Sequence, residues 1–232
     1  MEYEESAFEL MHPTTCLIAG PTGCGKTRFV ARLLLSNGMI KPKPTRIVWV
    51  YGEWQHIYDD LKDSIIIEFR KNNLDAELYE SFSPDEKNLL ILDDQMSNSS
   101  TVQRKNMLQL FTQGSHHRNL TIIYIVQNLF DQGSTSRTIS LNSQYMVLFK
   151  NPRDSAQIRY LALQVNPKNH KFLVDSYTDA TRNSHSYIFL NLTQECEEWF
   201  RVSTLIFPGE ESEIYVPNDI TVPDEILYKC LD

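Results

Sequence analysis

Eight consecutive residues, Gly20-Pro21-Thr22-Gly23-Cys24-Gly25-Lys26-Thr27, read G-x-x-x-x-G-K-T, a spacing suited to holding a chain of phosphates. The glycines let the backbone curl so that several N–H groups face one anion. Lys26 brings a positive charge to the β- and γ-phosphates, and the Thr27 hydroxyl offers a hard oxygen to Mg²⁺. A ligand-free glycine turn is the plainer alternative, and the flanking sequence argues against it. Thr14 to Ala19 is an apolar, strand-like run, and Arg28 to Leu35 has helical character. Strand, loop and helix in that order point a helix N-terminus at the anion. All eight residues, Gly20 through Thr27, are therefore candidate contacts to a nucleoside triphosphate.

A second pattern supplies acids. Leu89-Leu90-Ile91-Leu92-Asp93-Asp94 is an apolar strand ending in two carboxylates. Asp93 would hold Mg²⁺ through water, because a hard dication takes oxygen ligands and keeps part of its hydration shell. Asp94 would orient the attacking water and draw off its proton, which needs an approach of about 3 Å. The usual residue for that task is Glu, longer by one methylene. The plainer reading of the pair is a solvated turn. Thr121 to Val126 forms another apolar run and ends in Gln127. An amide there could bridge the γ-phosphate and the water, or simply cap the sheet. Arg118 is a candidate trans-acting arginine that would reach a neighbouring subunit's phosphates. Arg137 and Arg153 compete for that role, and a basic loop touching DNA or water is the alternative. His116 and His117 stand at no metal-ligand spacing from Cys or acids. Guanine recognition usually needs Asn/Thr-Lys-x-Asp after this strand. Asn128-Leu129-Phe130-Asp131 has Leu in place of that Lys, so ATP with Mg²⁺ is the expected ligand pair.

The elements that must position these residues alternate in type. Strand-length apolar runs appear at Arg46 to Tyr51, Ser64 to Phe69, Leu89 to Leu92, Thr121 to Val126 and Tyr145 to Phe149. Helical patterns fall at Trp54 to Leu61, Thr101 to Phe111 and Asp154 to Val165. Nearly continuous apolar strands imply burial on both faces. The alternation predicts an α/β fold with a mostly parallel sheet and helices on both sides. Tyr187 to Leu190, Phe200 to Phe207 and Glu213 to Val216 predict a β-rich C-terminal edge. One domain over residues 1–232 is expected, with a short acidic tail at 1–12.

The chain of 232 residues carries a net charge of −8, which argues against coating nucleic acid with the whole surface. Residues 101–171 nonetheless hold nine basic and two acidic side chains, a local +7 that suggests one face for a polyanion. A chance cluster on a solvated surface is the alternative. No apolar stretch approaches the roughly 20 residues of a membrane span, and no membrane partner is expected. Four cysteines without metal spacing fit an intracellular, reducing compartment.

Several runs in order resemble one family: Gly20 to Thr27, Leu90 to Asp94, Ser115-His116-His117-Arg118-Asn119-Leu120 into Gln127-Asn128-Leu129-Phe130, and Arg137 to Ser143. Phe149-Lys150-Asn151-Pro152-Arg153-Asp154 and Ile206-Phe207-Pro208-Gly209-Glu210 complete the series. Together they resemble the genome-packaging ATPases of Maverick/Polinton elements and large DNA viruses, including the poxvirus type, within the FtsK/HerA superfamily. The resemblance spans about Pro13 to Val216. It implies the additional-strand class of P-loop NTPase, a homo-oligomeric ring (pentamer or hexamer), double-stranded DNA as the cargo, and capsid or portal vertex proteins as partners. The setting it implies is the nucleus or cytoplasm where virions assemble, and virion association is compatible with it. A cellular FtsK/HerA-like translocase would be expected to carry further domains. An ATP-gated assembly protein with little turnover is the non-motor alternative.

Overall fold

The computed structural model describes residues 8–72, 74–93, 107–111, 118–130 and 134–222. Its frame is a nine-stranded sheet built on the apolar runs. In chain order the elements are β1 (Leu10–Met11), β2 (Thr15–Ala19), α1 (Lys26–Leu35), β3 (Ile40–Lys41), β4 (Arg46–Tyr51), α2 (Ile57–Ser64) and β5 (Glu68–Lys71). Then come α3 (Ala76–Glu80), β6 (Asn88–Asp93), β7 (Leu120–Val126), α4 (Ser134–Leu141), β8 (Tyr145–Phe149), α5 (Ala156–Val165) and α6 (His170–Ala180). The chain closes on β9 (Tyr187–Asn191), β10 (Val202–Thr204) and β11 (Glu213–Tyr215).

Strand order across the sheet is β11-β10-β9-β8-β2-β7-β6-β4-β5. The six strands from β8 to β5 are parallel. The last three pair antiparallel, beginning with β9 on β8. Strand β7 lies between β2, which feeds the glycine loop, and β6, which ends in Asp93. The same register that sets Ala19 opposite Val126 and Asp93 opposite Ile125 brings three strand ends to one edge, because parallel strands share a direction.

Side chains alternate across each central strand, so the sheet separates two cores. Leu17, Leu90, Leu92, Ile122 and Tyr124 face α3, α4, α5 and α6. Cys16, Ile18, Leu89, Ile91, Ile123 and Ile125 face α1 and α2. Burying a side chain such as Phe29 or Leu33 of α1 against the sheet contributes about 1.5–3 kcal/mol. That anchors the helix whose first turn carries Lys26 and Thr27. No helix among the described residues is long and apolar enough to cross a membrane.

The expected elements differ from the observed ones at their ends. The helix expected from Trp54 begins at Ile57, leaving the Trp54 ring to pack on Tyr51, Tyr58 and Phe69. The strand expected over Ser64 to Phe69 is displaced to Glu68–Lys71. Ile65 ends α2 by donating to the Leu61 carbonyl, and pairing to β4 starts only at Glu68. The run expected from Phe200 to Phe207 forms a strand only over Val202–Thr204, because Leu205 turns the backbone to a positive φ of 54°. Of the helix expected over Thr101 to Phe111, residues 107–111 are described and are helical; the rest lies outside the described residues.

Candidate nucleotide site

The glycine loop follows β2 directly and ends at α1. Gly23 and Gly25 adopt φ of 79° and 110°, values that suit glycine and strain other residues. At Gly20 the constraint is space: an added Cβ would lie 2.7 Å from both Cys24 Sγ and Phe149 Cβ. The start of α1 is unusual electrostatically. Gly25 caps it without a side-chain hydrogen bond, and no acid stands in the first turn. Its first residue is instead Lys26, the wrong sign for a helix N-terminus. An N-terminus left open and doubled by a cation is arranged for an external anion.

Lys26 Nζ folds over the loop, donating to the carbonyls of Gly20 at 2.6 Å and Pro21 at 3.0 Å. Phosphate oxygens are stronger acceptors than these carbonyls and would draw the ammonium outward. Cys24 is buried in the loop, 4.0 Å from Lys26 Nζ. Burial raises its thiol pKa, with Lys26 pulling the other way, so it stays a neutral packing residue.

Across the β7 insertion, the Thr27 hydroxyl donates to Asp93 Oδ2 at 3.4 Å. The two residues are 66 positions apart, and sheet order alone unites them. Asp93 is only 5% exposed. Its Oδ2 also accepts from the Tyr58 hydroxyl at 2.8 Å and from Gln55 Nε2 at 3.4 Å. Threonine hydroxyl and carboxylate are the hard oxygen donors that Mg²⁺ takes. No group of three or more His, Cys, Asp or Glu side chains stands at metal distance among the described residues. A cation here would thus draw its remaining oxygens from phosphate and water, as Mg²⁺ does in nucleotide sites.

Gln127 is exposed just past the end of β7, on the same edge. The link is direct, because Gly20 N donates to the carbonyl of Val126 at 3.2 Å. Asp94, next to Asp93 in the chain, lies outside the described residues, as do His116 and His117. Arg118 is placed elsewhere. It precedes β7, at the opposite edge of the sheet, where Nη1 donates to the carbonyls of Phe82 at 3.2 Å and Glu80 at 3.5 Å. Its guanidinium lies 5.1 Å from the Tyr79 ring centroid. Within one chain it does not meet the loop. Arg153 follows β8 on the loop's own edge, and Arg137 is carried on α4; both are exposed.

The sequence did not point to three contributors. Tyr58 and Gln55 reach Asp93 from 35 and 38 positions away, and nothing in their spacing signals it. His185 is the third. The loop from α6 to β9 lies against the glycine loop, with His185 Nδ1 3.2 Å from the Cys24 carbonyl, a contact in which the ring nitrogen must donate. Lys150 ties that loop down through Lys150 N to the Ser186 carbonyl at 3.1 Å and Nζ to the Arg182 carbonyl at 2.6 Å. Beside it opens a cleft of about 700 Å³ lined by Gly25, Arg28, Phe149, His185, Tyr187 and Phe207. Arg32 stacks on Phe207 at 4.1 Å and pairs with Glu210.

No protein-family model matches the chain, and no curated protein matches it. Among solved structures, it is similar to the KaiC-like protein PH0186 of Pyrococcus horikoshii OT3, with a TM-score of 0.50 and 14% identity over 92% of this chain and 99% of that one. It is also similar to the flagellar accessory protein FlaH of Methanocaldococcus jannaschii, with a TM-score of 0.44 and 14% identity over 61% and 73% of the two chains. The first of these likenesses extends to the fold of nearly the whole chain.

Proposed function

We propose that this chain is a Mg²⁺-dependent ATPase that moves double-stranded DNA, working as a ring of identical subunits to load a genome into a capsid. The observation that carries the ATPase reading is the Thr27–Asp93 pair beside the folded-over Lys26. The insertion of β7 between β2 and β6 supports the additional-strand class. In this reading the loop N–H groups and Lys26 grip the phosphates, while Thr27 and Asp93 hold Mg²⁺. When bound, the cation neutralises charge on the β- and γ-phosphates. Asp94 orients the attacking water, and Gln127 spans water and γ-phosphate. The apolar cleft at Phe149 and His185 takes the nucleoside.

The packaging role rests on the runs that resemble packaging ATPases, and their placement supports it. Phe149, the first residue of one run, packs against Gly20 and Gly25 of the glycine loop, and Phe207 and Glu210 of another meet Arg32 of α1. Basic residues Lys150, Arg153 and Arg159 cluster in sequence around the turn into α5 on the site's edge, where DNA phosphates could be gripped without regard to base. Capsid or portal proteins are the remaining partners.

Steady-state Mg-ATP hydrolysis, with and without linear double-stranded DNA at two salt concentrations, tests the reading. DNA stimulation that fades at high salt is expected, because backbone contacts compete with counterions. Hydrolysis indifferent to DNA would remove the motor. Nucleotide binding with near-zero turnover would favour an ATP-gated assembly protein instead.

A further inference from the structure

Asp93 receives more hydrogen bonds than a metal-holding carboxylate in a glycine-loop site requires. Thr27 is the expected donor, and its bond is long at 3.4 Å. The short one, at 2.8 Å, comes from Tyr58 on α2, an element that carries none of the residues expected to touch phosphate. Tyr58 is fully buried. Its ring is held by Trp49 at 5.1 Å, Trp54 at 5.2 Å and Phe69 at 5.2 Å. Lys62 in turn lies 4.2 Å above Trp54. So many aromatic contacts leave the hydroxyl one orientation, and Asp93 lies in its path.

We propose that Tyr58 is a positioning residue for the metal: its hydroxyl, with help from Gln55, fixes the Asp93 carboxylate in the orientation that Mg²⁺-nucleotide requires. This rests on the nucleotide reading above. A short hydrogen bond from a donor locked by packing narrows the range of a carboxylate's last torsion. Outer partners of this kind commonly change metal affinity by about tenfold or more when removed. Gln55 is exposed and its bond is longer at 3.4 Å, so it contributes less.

The experiment is calorimetric titration of ADP into the full chain, once with Mg²⁺ and once with EDTA. The ratio of the two affinities measures how strongly metal and nucleotide support each other. Tyr58→Phe keeps the ring and its packing while deleting only the donor. We expect affinity in EDTA to stay within twofold of wild type and the Mg²⁺ enhancement to fall about tenfold. In an Asp93→Asn background, Tyr58→Phe should change the ratio no further, since the two residues act through one bond. A merely structural tyrosine would not show that dependence. Gln55→Leu, on an exposed side chain that does not endanger the fold, should lower the enhancement in the same sense by about twofold, as a weaker hydrogen bond implies. An unchanged or increased Mg²⁺ enhancement in Tyr58→Phe overturns the proposal. Wild-type protein that binds no ADP under either condition overturns the nucleotide reading itself, which is a different result.

Discussion

The two ends of the sheet are both rich in polar side chains, and they use them in opposite ways. At the end with the glycine loop, donors converge on groups that a ligand can take over: Lys26 on two loop carbonyls, and Thr27, Tyr58 and Gln55 on one carboxylate oxygen. At the other end the partners are fixed parts of the same chain. Asn88 Nδ2 donates to the carbonyls of Ser83, Glu86 and Arg118 at 2.7, 3.1 and 3.0 Å. Asn119 donates to Glu86, and Thr15 to the carbonyl of Asn142. One end is arranged for exchange and the other for closure. The strand direction shared by β2, β7 and β6 is what separates them.

The largest expected effect falls on the exchanging end. Lys26→Ala should weaken ATP binding about 100-fold, the loss of one or two charge-assisted contacts at about 1.5–3 kcal/mol each. Its present bonds are to loop carbonyls, and its charge opposes the α1 dipole. Stability to urea should therefore change by no more than about 1 kcal/mol. Calorimetric titration and urea unfolding of the same preparations check both halves. Unchanged affinity would remove the exchanging end from the comparison altogether.

The sequence carried the first end well, because its signals are local. The loop, its strand and its helix are contiguous, and Phe149 closes β8 where the apolar run ends. Asp93 was legible as the acid that ends a buried strand. Thr27 and Asp93 are each legible as holders of Mg²⁺, but their meeting across β7 comes from the strand order. Tyr58 and His185 were not legible. Each reaches the site through tertiary packing, Tyr58 on α2 held by Trp49 and Trp54 from outside that helix, and His185 from a loop whose backbone is tied by Lys150. Neither contact has a fixed spacing to read. Arg118 shows the converse difficulty: a run of discriminating residues gave it a role, but only the fold shows which edge it occupies.

Arg118→Ala sharpens the comparison with a smaller effect. In an isolated chain it removes the bonds to Phe82 and Glu80 and the Tyr79 stack. A stability loss of about 0.5–1.5 kcal/mol follows, with ATP affinity within twofold of wild type. Should Arg118 also serve a neighbour's phosphates, hydrolysis would fall in the variant. Mixing it with Asp94→Asn protein would then restore part of the rate at hybrid interfaces. Restoration would show the closing end of one subunit completing the exchanging end of the next. With no restoration at any mixing ratio, Arg118 belongs to closure alone.

The smallest expected effect is a pH dependence confined to the closing end. His12 is buried beside Thr121, with Nδ1 2.7 Å from Oγ1, and that same oxygen accepts the N–H of Thr14. Burial lowers the His12 pKa below 6.5; the Asn119 side chain partly offsets this, and Lys87 adds to it. With the folded value below the unfolded one, the unfolded chain binds more protons between the two, so stability must fall as pH drops through that window. Below the folded value the contribution levels off. His12→Asn removes the titrating group, and its urea midpoint should drop less between pH 7.5 and 5.5 than that of wild type. ATP affinity should keep the same pH profile in both, since His12 lies on the edge away from Lys26. A pH-dependent affinity that disappears with His12 would mean the two ends are coupled through β2 and β7, and the division between exchange and closure would have to be given up.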